Sequence, residues 1–483
     1  MKVQQTTTHC QAPPLPRRRR EKRKIELEKY RLQKKIRKFN LPVTFDNDTT
    51  TKFANFGPVE SFKQAIGFKE LIKSTFTMRK APNSKYQSQE MLDFLVDAQI
   101  LGLSRFEHIN DLRYDPGYLK IKGDIECPEE SAFRRLFKAL GIESLEELRS
   151  INQQLIALHS QTKEPTEIWL DCDDTVITLH GNQEGGEVGY NPRYHGRPSI
   201  KAKACFIAET AELVNLKAYG GKTHSNGEFL NFFKEAEGQL PHNYVPKGVR
   251  MDKGFFDEKN FEYFESRTLL YVCKAPMRSG LKKIVNYLKE QNLWQELDEC
   301  YSIAELTVPL PSWNKARRFI VICQKKDPKT GQLYIDHPEC YQYQAIVTNI
   351  ETNDMSPEEV WRFYNKRGTC ELWINELKDG FAVDEASQHN FVKNEAYMLV
   401  KAISYNLMLW FKEATMPDEV KNCRAKTIRR KVLCVPGNIV GNGRYRHVRL
   451  AANKWLETVI NQVKTNLDEF LYLVVQRLYP IRC

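Results

Sequence analysis

The 483-residue sequence has no Cys-x-x-Cys pair, no long uninterrupted apolar run, no internal repeat and no apolar signal-peptide core. Without paired cysteines, the 12 cysteines scattered from Cys10 to Cys483 give no structural zinc site and no redox motif, and they read as reduced thiols. No stretch approaches the roughly 18 apolar residues that a spanning helix needs. The basic N-terminal run Arg17-Arg18-Arg19-Arg20, Lys22-Arg23-Lys24 is followed by charged residues rather than an apolar core, so no export signal is expected. These absences point to a soluble chain in the cytoplasm, associated with the nucleoid if its partner is DNA.

What is present in excess is positive charge. Lys plus Arg number 73 against 61 acids, a formal net charge of +12. Such a balance favours a polyanionic partner, with nucleic acid first and an anionic membrane surface as the alternative. The length exceeds one ordinary core and implies about two to four folding units.

Residues 1–50 read as a basic arm along DNA or a solvated tail, because Ile25 to Phe39 lacks a continuous apolar stripe. From Phe62 to about Ser160 the apolar residues fall at helical spacing, as in Met91, Leu92, Phe94, Leu95 and Phe133, Leu136, Phe137, Leu140. This predicts a helical domain over 51–160. Its Arg134, Arg135 and Lys138 form either a DNA-gripping helix face or a solvated one.

At Ile168 the pattern turns to short β-type runs: Ile168–Cys172, Ala204–Ala208, Glu212–Ala218, Gly248–Met251 and Thr268–Lys274. Helical runs at Asn226–Gly238 and Asp257–Ser266 separate the last three. The resulting order β-β-β-α-β-α-β predicts an α/β fold with an RNase H-like mixed sheet flanked by helices. Its expected span is 165–412. A helix from Ser356 to about Lys378 completes it, an inserted β-rich subdomain occupies 274–356, and 413–483 is a C-terminal helical region.

Carboxylates at strand ends are the natural ligands for hard divalent ions in phosphoryl transfer. Asp173 follows the run Ile168-Trp169-Leu170, although Asp171 shares its parity and Asp174 stands on the opposite face. Asp252 closes Gly248-Val249-Arg250-Met251, where a helix N-cap is the other reading. On the helix that follows, steps of three, four and seven place Tyr364, Arg367, Glu371 and Lys378 in one stripe. That stripe offers a carboxylate among cations, or simply a surface Arg367–Glu371 ion pair.

Together these features resemble the bacterial insertion-sequence transposases of the DDE superfamily. The spacing Tyr364, Arg367, Glu371, Lys378 reproduces the Tyr-Arg-Glu-Lys signature of one group without a gap. Leu170-Asp171-Cys172-Asp173-Asp174-Thr175, His180-Gly181-Asn182-Gln183-Glu184-Gly185, Tyr190-Asn191-Pro192 and Arg250-Met251-Asp252-Lys253-Gly254-Phe255 continue the likeness. Asp174 departs from the usual hydroxyl residue and Lys253 from the usual serine.

The resemblance implies that Asp173, Asp252 and Glu371 are catalytic and hold two Mg2+ ions, for which Mn2+ could substitute. It implies that Tyr364, Arg367 and Lys378 grip phosphates, and that Trp313 offers an aromatic face to a flipped base. The implied partners are double-stranded DNA, as terminal inverted repeats and target, and a second copy of the chain in a synaptic homodimer. The rival readings are a stand-alone metal-dependent nuclease and a non-catalytic DNA-binding derivative.

Overall fold

The computed structural model describes residues 17–36, 49–78, 80–81, 83–325, 341–441 and 445–478. Cys10, Cys340, Cys483 and most of the expected arm outside 17–36 lie beyond the described residues. Two compact units divide the chain, Met1–Asp48 and Thr49–Cys483. In the first, Arg17–Ile36 is a helix whose apolar residues Ile25, Leu27, Tyr30 and Leu32 are all exposed. This agrees with a sequence that offers no stripe to bury.

The second unit begins with helices, among them α1 (Ser88–Ile100) and α2 (Ile142–Gln161). At the start of α1, the Glu90 carboxylate accepts the Gln87 backbone N–H at 3.0 Å, capping the helix. The helices of 51–160 pack against those of the C-terminal region. Phe62, Phe94, Leu148 and Leu155 share one hydrophobic cluster with Phe206, Leu213, Met408, Phe411 and Phe470. Thr50 and Thr51 also pair with Asn438 and Gly437, so the two ends of this unit are woven into one body.

Among the described residues the central sheet has ten strands. Its first part comprises β1 (Thr166–Thr178), β2 (Pro198–Ile207), β3 (Leu213–Gly220), β4 (Tyr244–Met251) and β5 (Leu270–Ala275). β1, β2 and β3 form an antiparallel meander, whereas β4 runs parallel to β1 and β5 parallel to β4. The parallel steps need crossovers, supplied by α3 (Phe229–Gly238) and α4 (Glu258–Ser266). Alternation of side chains divides β2 between two cores. Ile200, Ala202, Ala204 and Phe206 face the cluster just described, while Cys205 and Ile207 face α3 and α4 through Phe229, Phe233, Phe261 and Phe264.

Within the expected inserted subdomain, 274–356, the described residues add strands to the same sheet. β6 (Tyr301–Val308), β7 (Arg317–Gln324) and β8 (Gln342–Thr348) form an antiparallel ribbon, and β8 pairs with β5 through Ala345↔Ala275. The ribbon therefore extends the central sheet. The run Phe319-Ile320-Val321-Ile322 is buried on both faces and needs a continuous sheet with cover on either side. α5 (Pro357–Asn365) supplies one cover, packing Val360, Trp361 and Tyr364 on Ile303, Ile320 and Ile346.

The helix expected over Ser356 to Lys378 is two helices, because α6 (Gly368–Phe381) starts afresh after a turn at Lys366 and Arg367. The Arg367, Thr369 and Cys370 N–H groups donate to the carbonyls of Tyr364, Lys366 and Arg367, three residues back rather than four. Gly368, weak in helix interiors, stands at this tightened joint. α7 (Phe391–Thr415) and α8 (Lys454–Arg477) close the fold.

Candidate active site

The pairing of three parallel strands stops in one row. Cys172 of β1 pairs with Met251 of β4, and Met251 pairs with Cys273 of β5. The next residues along the three strands are Asp173, Asp252 and Lys274. Above them sits the joint between α5 and α6. A cavity of about 460 Å³ is lined by Asp173, Asp252 and Lys274 from the sheet edge, with Lys253, and by Tyr364, Asn365, Arg367, Gly368 and Glu371 from the joint.

Equal parity left Asp171 and Asp173 undecided in the sequence, and their surroundings separate them. Asp171 is fully buried and receives Arg250 Nε and Nη2 on its two oxygens, each at 2.7 Å. Arg250 is held further by the Phe363 ring, 4.8 Å away. That pair belongs to the interior. Asp173, one pleat nearer the strand end, opens into the cavity, and Asp174 lies on the other face.

Asp173 is crowded by charge. The Arg367 Nη2 lies 2.8 Å from Asp173 Oδ2, and the Asp174 N–H donates to Asp173 Oδ1 at 2.9 Å. Burial pushes the Asp173 carboxyl up to about 6; Arg367 opposes this, while Asp174 and Asp252 add to it. Burial disfavours the Arg367 charge, yet Asp173 beside it holds the guanidinium above its ordinary range. The Arg367–Glu371 pair suggested by helical spacing is not among the ion pairs of the described residues, because the joint turns Arg367 toward the sheet.

Asp252 occupies an N-cap position, before the short turn Lys253–Phe255, but its side chain makes no capping bond. Neither its carboxylate nor that of exposed Glu371 has a hydrogen-bond or ion-pair partner among the described residues. Gly254 lets this turn close, since a Cβ there would meet Ser225 Cβ at 2.9 Å. Two free carboxylates and a third neutralised on one side form a hard-oxygen donor set of the kind that holds a divalent cation. The oxygens of the three do not all lie within 4.8 Å of one another.

Among the described residues, carboxylates do converge that closely at Glu60, Asp93 and Asp97. The positive charge there is already protein. Lys122 Nζ lies 2.8 Å from Glu60 and 2.7 Å from both Asp93 and Asp97, and buried Lys63 contacts the same three acids. This cluster is a buried ion-pair network of the helical region, not a metal centre.

The remaining expected site residues are spread out. Tyr364 lines the cavity with its ring sunk in the α5 core, and burial raises its phenol. Lys378 lines a neighbouring cleft of about 1770 Å³, which shares Asp252 and Lys253 with the cavity. Burial lowers the Lys378 ammonium. Trp313 lines neither space; its ring lies 5.2 Å from Phe256 and 5.7 Å from both Phe261 and Phe319, under the Arg317 guanidinium. Lys274 and Lys253 were not anticipated as site residues. A lysine closing the third parallel strand was the available signal for Lys274.

The family model for the transposase DDE domain, group 1, matches residues 54–471. The chain belongs to that family. No curated protein matches this transposase. A solved structure similar to it is the cryo-EM structure of a piggyBac transposase synaptic complex with hairpin DNA, at 12% identity and a TM-score of 0.38, covering 90% of this chain and 85% of that one. The transposase has no helix among its described residues long and apolar enough to cross a membrane.

Proposed function

We propose that this transposase cuts DNA at the ends of an insertion sequence and joins the freed ends to target DNA, with Asp173, Asp252 and Glu371 as its catalytic carboxylates. The observation that carries the reading is the meeting of these three acids, from two adjacent strands and a helix, in one cavity walled by Lys253, Lys274 and Arg367. An RNase H-like core agrees with the strand order β3-β2-β1-β4-β5, antiparallel up to β1 and parallel after it.

Bound at these carboxylates, two Mg2+ ions supply Lewis acidity at the scissile phosphate and a water of lowered pKa. The protein's own groups do the rest. Asp252 and Glu371 have uncommitted oxygens to offer as ligands, and Arg367 offsets the charge of Asp173 so that three acids can stand together. Lys253 and Lys274 face the cavity as point charges for phosphate oxygens. In the first step a water oxygen bonds to phosphorus as the 3′ oxygen leaves. In the second the freed 3′-hydroxyl attacks a target phosphodiester, so one P–O bond forms for each that breaks.

Tyr364 and Lys378 bound the path of the bound strand on either side of Glu371, and a second copy of the chain holds the other end in a synaptic homodimer. The test is cleavage and strand transfer with Mg2+ on duplex DNA carrying the sequences that flank the chain's own gene, comparing wild type with Glu371→Gln. End-specific cutting followed by joining, lost in the variant, is expected. Cutting without end preference would replace the reading with a nuclease, and end binding without cutting in either protein would replace it with a non-catalytic binder.

A further inference from the structure

On the face of β1 opposite Glu371, β2 contributes two inward lysines beside Asp174. Lys203, 1% exposed, sits directly across from Asp174 in the strand register. Its ammonium donates to the Ser225 carbonyl and lies 5.4 Å and 5.5 Å from the rings of Tyr219 and Phe255. Lys203 is thus provided for. Lys201 is not: its side chain is 6% exposed, yet its nearest charged group is Asp174 Oδ2 at 3.8 Å, beyond hydrogen-bond reach. That same Asp174 oxygen is buried without a hydrogen-bond partner.

The local charge does not balance. Two lysines, the ammonium of one bound to the Ser225 carbonyl and that of the other opening on the cleft, face one carboxylate, and the other acid that acts on Lys203, Glu228, is exposed to water and bonded to Asn231. Lys201 and Asp174 both line the large cleft that contains Asp252 and Lys253, the two residues shared with the catalytic cavity. An anion in this part of the cleft would be next to the reacting centre.

We propose that Lys201 is a phosphate-binding residue, taking a backbone phosphodiester of the DNA strand as it leaves the catalytic cavity past Asp252. Asp174 holds the ammonium at the cleft wall until the phosphate arrives, which gives a role to the acid that replaces the hydroxyl residue usual at this position. Lys201 is a positioning residue: it touches the strand, not the phosphorus under attack. The inference rests on the DNA-substrate reading above.

Counterion release provides a readout that a purely structural role would not move. Each phosphate contact contributes about 0.9 to the slope of log affinity against log salt for duplex DNA, and about 0.7 for a single strand. Affinity of the full chain for a labelled duplex of the gene-flanking sequence is measured across salt concentrations for wild type, Lys201→Met and the double variant Lys201→Met with Asp174→Asn. The double variant removes Lys201 and Asp174 together and leaves Lys203 with the Ser225 carbonyl and its two rings, and urea midpoints taken alongside confirm that each variant is folded. The expected result is a slope lower by about 0.9 in both variants, with no recovery in the double variant. Recovery of wild-type slope and affinity in the double variant, or an unchanged slope in Lys201→Met, would show that Lys201 serves only Asp174 and overturn the proposal. Wild-type protein that cuts these ends while the variants keep the slope would overturn this proposal alone; wild-type protein with no affinity for the duplex would overturn it together with the DNA-substrate reading.

Discussion

Arg367 approaches Asp173 to 2.8 Å and so couples the turn between two helices to the edge of the central sheet. Burial raises the Asp173 carboxyl to about 6 even with this contact opposing it. Cleavage that depends on ionised Asp173 should fall as pH drops through about 6 in wild type. Arg367→Met removes the opposing charge and should move that acid limb upward by about one unit. Rising Mg2+ should move it down again, since metal and proton compete for the same oxygens. Initial cleavage rates against pH at two Mg2+ concentrations test both directions.

Asp171 and Glu371 should fail in opposite ways. Asp171→Asn strands the buried Arg250 guanidinium and should cost about 3–5 kcal/mol, read as a lower urea midpoint. Glu371→Gln changes an exposed, unpaired group; it should leave the midpoint unchanged while cleavage falls to background. A Glu371→Gln protein as unstable as Asp171→Asn would contradict this division of labour.

Lys63 is fully buried among Glu60, Asp93 and Asp97. Lys63→Met should destabilise the protein by about 3–5 kcal/mol, because three acids then share Lys122 alone. Adding Asp97→Asn removes one stranded charge and should recover part of the loss. Denaturant midpoints of the single and double variants decide the matter, and additive losses would exclude coupling.

His159 is buried against Trp410, with Nδ1 2.7 Å from Glu212 and Nε2 3.2 Å from Glu413. Burial lowers its pKa, but the two carboxylates outweigh burial and raise it above 6.5. A histidine raised on folding contributes stability that is complete below its unfolded pKa and disappears as pH climbs through the folded one. As pH climbs from the unperturbed histidine value of about 6.5, the wild-type Tm should therefore fall more than that of His159→Gln. Parallel profiles would show that this imidazolium contributes nothing.

The legible parts of this protein were local. Asp252 could be read as a strand-end acid because Gly248 to Met251 and the Lys253-Gly254 turn mark the junction. The strand and helix order from Ile168 to Ser266 followed from periodicity. What periodicity could not convey was three-dimensional. Asp171 and Asp173 have the same parity, and only the position of Arg250 on the next strand assigns one to the interior. The pattern from Ser356 to Lys378 is helical throughout, and one tightened turn at Lys366 and Arg367 redirects a side chain from Glu371 to Asp173. The ribbon from Tyr301 to Thr348 carries no mark saying which edge it joins, and Lys201 reads as one more basic residue until its missing partner is seen.

The joint between α5 and α6 has a consequence for how the whole molecule is tuned. Tyr364, before it, is anchored in the apolar cluster that fastens α5 to the added ribbon, whereas Cys370, Ile374 and Leu377, after it, are anchored in the cluster shared by the terminal helices. Glu371 thus belongs to one anchorage and Tyr364 to another, with one tightened turn between them. The cavity works like a vernier, in which a small slip of either scale against the other misaligns the marks. Substitutions deep in either anchorage, far from any acid, are felt first as lost alignment and only later as lost folding.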